Sequence, residues 1–151
     1  MVVTMQCPPS VYEVAFAGVP GGVAVAREWA VAVSRLTGDR ADVLSLLVSE
    51  LATNAVRHSR SGDEYGAYTV TVAVRTDAVL VVVADTGPRP EKPTAPLPCL
   101  ISPFAEAEGG YGLSLVVAIA DAWTISSSPG RTQVGFELRK GEGNLEDTLA
   151  A

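Results

Sequence analysis

Ser49-Glu50-Leu51-Ala52-Thr53-Asn54-Ala55-Val56-Arg57-His58-Ser59 is the stretch on which both fold and site turn. It reads as the end of an amphipathic helix, because Val43, Leu46, Leu47, Leu51 and Ala55 recur at helical spacing and mark a core-facing side. At about 100° of turn per residue, Glu50 and Asn54 stand only about 40° apart. That places a carboxylate and a carboxamide in the middle of the apolar stripe, between Leu46 and Leu47. An unpaired buried amide costs roughly 1–3 kcal/mol and an unpaired charge more. Either the fold supplies local partners, or the two side chains line a polar cavity.

Upstream, Asp39 is a suitable cap for this helix, expected over Arg40 to Arg57. Val23 to Leu36 carries Val25, Trp29, Val31, Ala32 and Leu36 in a helical pattern, and Gly38 is expected to end it. Val11 to Gly18 alternates as a strand, and Pro8 and Pro9 before it suit a sheet edge. Downstream, Ser59 to Gly66 is polar and reads as a loop. Ala67 to Arg75 and Ala78 to Ala84 read as strands, the second apolar enough to be central. The two-residue turn Thr76-Asp77 makes them antiparallel.

Regularity stops from Gly87 to Gly110, where Pro88, Pro90, Pro93, Pro96, Pro98 and Pro103 exclude a continuous helix or central strand. Such a segment reads as a lid, with an inert irregular loop as the alternative. Tyr111 to Asp121 reads as a short apolar helix entered through glycines. Ala122 to Ser127 and Arg131 to Arg139 form a hairpin around Pro129-Gly130. The order predicts an α+β fold: a two-layer α/β sandwich with one mixed or antiparallel sheet and helices on one face.

A chain of 151 residues, 48% of them hydrophobic, suits a single domain over 1–139, followed by a frayed polar tail over 140–151. The net charge of -6 gives no support for direct nucleic-acid binding, so positive potential for an anionic ligand must be local. Cys7 and Cys99 form no metal or redox motif. Met1 to Ser10 lacks the pattern of a signal peptide, and no apolar run is long enough to span a bilayer, so a cytoplasmic protein is expected.

Two further stretches favour the cavity. Asp85-Thr86-Gly87 stands where the apolar strand ends. An Asp there serves as a turn former, or as an acceptor for an exocyclic amine beside a glycine that lets a flat base approach. Glu108-Gly109-Gly110-Tyr111-Gly112-Leu113 opens a helix, either as a plain hinge or as a place where backbone N–H groups converge on an anion. No Gly-Lys-Ser/Thr follows, so it is not a Walker-type loop.

In this order and spacing, Glu50-Leu-Ala-Thr-Asn54-Ala, Asp85-Thr-Gly87 and Gly110-Tyr-Gly112-Leu resemble the N, G1 and G2 boxes of the GHKL superfamily of ATP-binding domains. The wording around Asn54, the Pro-rich segment, Ala-Asp-Ala-Trp123, Gly130-Arg-Thr132 and Phe136-Glu-Leu138 are most similar to the stand-alone RsbW-like anti-sigma-factor serine kinases and related bacterial regulatory ATP-binding domains. The resemblance implies the Bergerat-type ATP-binding fold, with ATP and Mg²⁺ as ligands. It implies Asn54 as a Mg²⁺ ligand, Glu50 as general base, Asp85 reading the adenine amine and Gly87 giving the base room. Gly110 and Gly112 would offer N–H groups to the phosphates, and Thr132 a hydrogen bond near adenine. Arg57 and His58 would lie near ribose or phosphates, although a solvated helix end explains both as well.

The implied partners are a small anti-sigma-antagonist-type protein, a sigma factor, or both, with a homodimer also compatible. Arg89 stands where the G1 box usually has a second glycine. No helix bearing a phospho-accepting His precedes the domain in this sequence, so a histidine phosphorelay is not expected. Three functions compete: a serine/threonine protein kinase, a nucleotide-responsive binding module with little turnover, and a nucleotide-free scaffold.

Overall fold

A computed structural model describes residues 9–58, 66–86 and 111–141, with the side chains of residues 58 and 111–114 left aside. The elements run β1 (Ser10–Ala17), α1 (Gly22–Ser34), α2 (Gly38–His58), β2 (Ala67–Val74), β3 (Ala78–Asp85), α3 (Tyr111–Ile119), β4 (Ala122–Ser128) and β5 (Arg131–Arg139). The five strands form one sheet in the order β1-β2-β3-β5-β4. Of the two sheet types expected, mixed or antiparallel, the protein has the second: every pairing is antiparallel. Short turns dictate this for β2–β3 and β4–β5, where Arg75 N–H donates to Ala78 O at 2.9 Å and Gly130 takes φ 80°. β1 is an edge and β3 the centre, as their sequences indicate. β5 returns from β4 to fill the place beside β3.

Side chains alternate across a strand, so one face of the sheet collects Tyr68, Val70, Val72, Val79, Val81, Val83, Val134, Phe136 and Leu138, all buried. The helices cover that face. α1 lies against β1 and β2, α2 against β3 and β5, and α3 against β4. The opposite face carries Thr69, Thr71, Leu80, Val82 and Thr124, none of them buried. Gly135 on that face permits close packing: a Cβ there would come within 2.9 Å of Thr124 Oγ1 and 3.4 Å of Val82 Cγ2.

The structure corrects the helix faces. On α2 the core side is Leu44, Leu47, Val48, Leu51, Ala52 and Ala55, while Leu46 is 42% exposed and Val43 only partly buried. Periodicity gives relative angles on a helix, but two overlapping apolar arcs fit this sequence. The two arcs share Leu47, Leu51 and Ala55, and the one that packs adds Leu44, Val48 and Ala52 in place of Val43 and Leu46. On α1 the buried stripe is Ala26, Ala30 and Ser34, again small, and Val25 is 57% exposed.

The α1–α2 junction also departs from expectation. Arg35, not Gly38, takes the left-handed cap of α1 at φ 59°, and Gly38, at φ 60°, is the first residue of α2. Asp39 therefore lies inside the first turn of α2, where a negative charge suits the helix dipole. Ser34 closes α1 by donating to Val31 O at 2.7 Å and accepting from Leu36 N at 3.2 Å, so its burial leaves no polar atom unpaired.

Leu44, fully buried in this core, provides a test of the corrected face. Leu44→Ala is expected to destabilise the protein by about 2–5 kcal/mol, and Leu46→Ala by well under half of that. Equal losses in urea denaturation would contradict the assignment of faces.

Candidate functional site

α2 runs from the end of the sheet bearing Ala78 and Arg139 to the end bearing Asp85 and Thr132, because its C-terminus leads into the start of β2. Its 21 residues span about 31 Å, whereas the nine of α3 span about 13 Å. α3 is anchored at the opposite end. Asp121 N–H donates to Glu137 O at 2.9 Å, and Asp121 Oδ2 accepts from Arg139 N at 2.7 Å. Asp121 also lies 3.5 Å from the Arg40 guanidinium in the first turn of α2. α3 thus lies along the N-terminal half of one flank of α2 and stops short of the C-terminal half.

Glu50, Asn54 and Arg57 occupy that half. The other flank of α2 faces α1: Ala41, Asp42 and Ser45 share a shallow cavity of about 330 Å³ with Arg27, Glu28, Val31 and Ala32. On the same side Arg27 Nη1 donates to Ser49 Oγ at 3.5 Å. Glu50 and Asn54 stand about 140° around the helix from this flank, at about 100° per residue. They lie at the border of the core stripe, not in its middle as the sequence suggested, and both are half-buried. Neither has a hydrogen-bond or ion-pair partner among the described residues. Arg57, one turn on, is exposed. His58 closes the helix, and its side chain is not among those described.

Asp85 and Thr132 are cross-strand partners in the β3–β5 register, although 47 positions apart in the sequence. Asp85 is in phase with Val79, Val81 and Val83, and Thr132 with Val134, Phe136 and Leu138. Both therefore belong to the helix-covered face, at the end where, among the described residues, the helix layer stops short. Both are half-buried. Gly112 lies in the first turn of α3, whose N-terminus points back towards that end. The structure thus brings Glu50, Asn54, Arg57, Asp85, Thr132 and the start of α3 to one end of the sandwich. Gly87, Arg89, Gly110 and the rest of 87–110 lie outside the described residues, as do Cys7, Cys99, residues 59–65 and the tail from 142.

Chemically, the end of the sheet offers a carboxylate and a hydroxyl side by side, and the helix above it a carboxylate and a carboxamide one turn apart. A donor heterocycle fits the first pair, and a hard cation with its waters fits the carboxamide oxygen. One side chain was not singled out from the sequence. Tyr68, next to this end on β2, is buried with a hydroxyl that has no hydrogen-bond partner among the described residues. Its strand position gave only a core reading, and the orphan hydroxyl is a tertiary feature.

Among the described residues, the helix layer stops short of the strand end that carries Asp85. The profile of the histidine kinase-like ATPase domain family matches residues 17–138, and the chain belongs to that family. Within it the chain is RsbW-like. It is 29% identical over 117 residues to the serine-protein kinase RsbW of Bacillus subtilis (strain 168), covering 74% of this chain and 73% of that one. It is 30% identical over 111 residues to the serine-protein kinase RsbW of Bacillus velezensis, covering 70% and 69%. Its fold is similar to the crystal structure of the RsbU and RsbW domains of Rv1364c from Mycobacterium tuberculosis. That similarity has a TM-score of 0.62 at 17% identity, over 86% of this chain and 32% of that longer one. No described helix is long and apolar enough to cross a membrane.

Proposed function

We propose that this protein binds ATP with Mg²⁺ at the Asp85 end of the sandwich and phosphorylates a serine or threonine of a small antagonist-type protein partner. The observation that carries the reading is the convergence of Glu50 and Asn54 on α2 with the Asp85–Thr132 pair. The RsbW kinases of the two Bacillus species support the choice of reaction.

Each residue then has a role. Asp85 accepts a hydrogen bond from the adenine amine, Gly87 leaves the base room, and Thr132 adds a hydrogen bond beside it. Asn54 offers its side-chain oxygen to Mg²⁺, which when bound neutralises phosphate charge. Gly110 and Gly112 present N–H groups to the phosphates at the start of α3. Arg57 and His58 stand at the end of α2, where a cation meets ribose or phosphate. Glu50 takes the proton from the acceptor hydroxyl. The hydroxyl oxygen bonds to the γ-phosphorus as the bond to the β-phosphate bridging oxygen breaks, and ADP leaves. Sequestration of a sigma factor and pairing of two chains are carried by the resemblance to the RsbW-like group.

Calorimetric titration with ATP and Mg²⁺ tests the site. Wild type is expected to bind, and Asp85→Ala to bind at least about tenfold more weakly, as befits loss of a charge-assisted hydrogen bond. Unchanged affinity would remove Asp85 from the base pocket. Arg89, in place of the usual glycine, favours a second reading, a nucleotide-responsive binding module with little turnover. Under it, partner capture survives Glu50→Gln undiminished and no phosphoprotein forms even with wild type.

A further inference from the structure

Tyr68 is one of the largest fully buried side chains, 1% exposed, yet among the described residues its hydroxyl has no hydrogen-bond partner. Buried hydroxyls without a partner are uncommon in folded proteins and call for a cause. Burial pushes the phenol pKa up, so the group keeps its proton and remains a donor.

The sheet around Tyr68 supplies the cause. Tyr68 is in phase with Val70 and Val72, on the helix-covered face. Pairing of β2 with β3 stops at Thr69↔Ala84. On one side, β1–β2 pairing continues through Phe16↔Tyr68 to Ala17↔Ala67; on the other, β3–β5 pairing continues to Asp85↔Thr132. One more step of the β2–β3 register would set Tyr68 opposite Asp85. The ladder is therefore open between these two residues and closed on either side of them. The Tyr68 ring is held from the β1 side, stacked on Phe16 at 6.0 Å, and Phe16 meets Trp29 edge-on at 5.6 Å. Asp85 stands next along the sheet on the other side, one register step beyond the last β2–β3 pair.

We propose that Tyr68 is a positioning residue of the base end of the nucleotide site, its hydroxyl donating to the Asp85 carboxylate when an adenine nucleotide is bound. This rests on the ATP reading above. A carboxylate has two oxygens, so one can face the phenol while the other accepts from the adenine amine. The hydroxyl is enclosed in the free protein, so it acts through Asp85 and not as a wall that touches the base. A bond unmade in the free chain and made in the complex contributes to affinity and not to stability.

The test is Tyr68→Phe in the full chain. Its melting temperature without nucleotide is expected to equal or exceed that of wild type, while its ATP affinity falls about tenfold. In an Asp85→Ala background the same substitution is expected to have no further effect on affinity. In wild type labelled at tyrosine Cζ, the Tyr68 signal is expected to shift on addition of Mg²⁺-ATP. Wild-type affinity in Tyr68→Phe, or an unmoved Tyr68 signal, would overturn the proposal alone. Failure of wild type to bind ATP would overturn it together with the reading it rests on.

Discussion

Glu50→Gln is expected to lower phosphoryl transfer by about 10²–10⁴-fold, the usual contribution of a general base, while ATP affinity stays within about threefold of wild type. The substitution keeps size and hydrogen-bonding capacity and removes the ability to take a proton. The position suits that outcome. Glu50 is half-buried in the half of α2 that α3 does not reach, at the border of the core stripe of Leu47, Leu51 and Ala55. Glu50 also has no ion-pair partner among the described residues, so its replacement breaks no structural pair there. Single-turnover transfer to the partner, read beside a calorimetric Kd, separates the two effects. Transfer at the wild-type rate would remove Glu50 from the chemistry, and a parallel collapse of affinity would make it a binding residue instead.

Asn54→Ala is expected to abolish the magnesium dependence of ATP binding and to weaken binding in the presence of Mg²⁺ by about a hundredfold or more. Changes behind a metal's direct ligands already cost about 10–100-fold. Loss of an oxygen ligand itself should cost at least as much. Binding measured with and without a chelator supplies the readout. Wild type should show a large difference between the two conditions and the variant almost none. An equal magnesium effect in both proteins would mean that another group holds the ion. Thermal unfolding without nucleotide provides the control, because Asn54 is only half-buried and no described residue hydrogen-bonds its side chain. The variant should therefore unfold close to wild type.

The two halves of the candidate site were legible to different degrees. Glu50 and Asn54 are four residues apart on one helix, so their proximity follows from helical geometry. Their setting does not. The sequence places them in the middle of an apolar stripe through Val43 and Leu46, but Leu46 is 42% exposed and the stripe that packs is centred on Leu47, Val48, Leu51 and Ala55. Both arcs obey the same period. The choice between them is made by packing against the sheet and not by the period. On α1, likewise, the packed face is Ala26 and Ala30 and not Val25. Asp85 and Thr132 were each singled out, but nothing local indicated that they face one another. That follows from β5 entering the sheet beside β3, a pairing of residues distant in sequence.

By itself the sequence determined the eight described elements nearly to their ends, the antiparallel sense of the two tight hairpins and the i, i+4 relation of Glu50 and Asn54. These depend on periodicity and turn chemistry, which act over a few residues. Only the tertiary structure decided the strand order β1-β2-β3-β5-β4, the half-coverage of α2 by the shorter α3, and the open ladder step between Tyr68 and Asp85. These arise from contacts between distant segments, where shape and element length select among arrangements that local preference leaves equal.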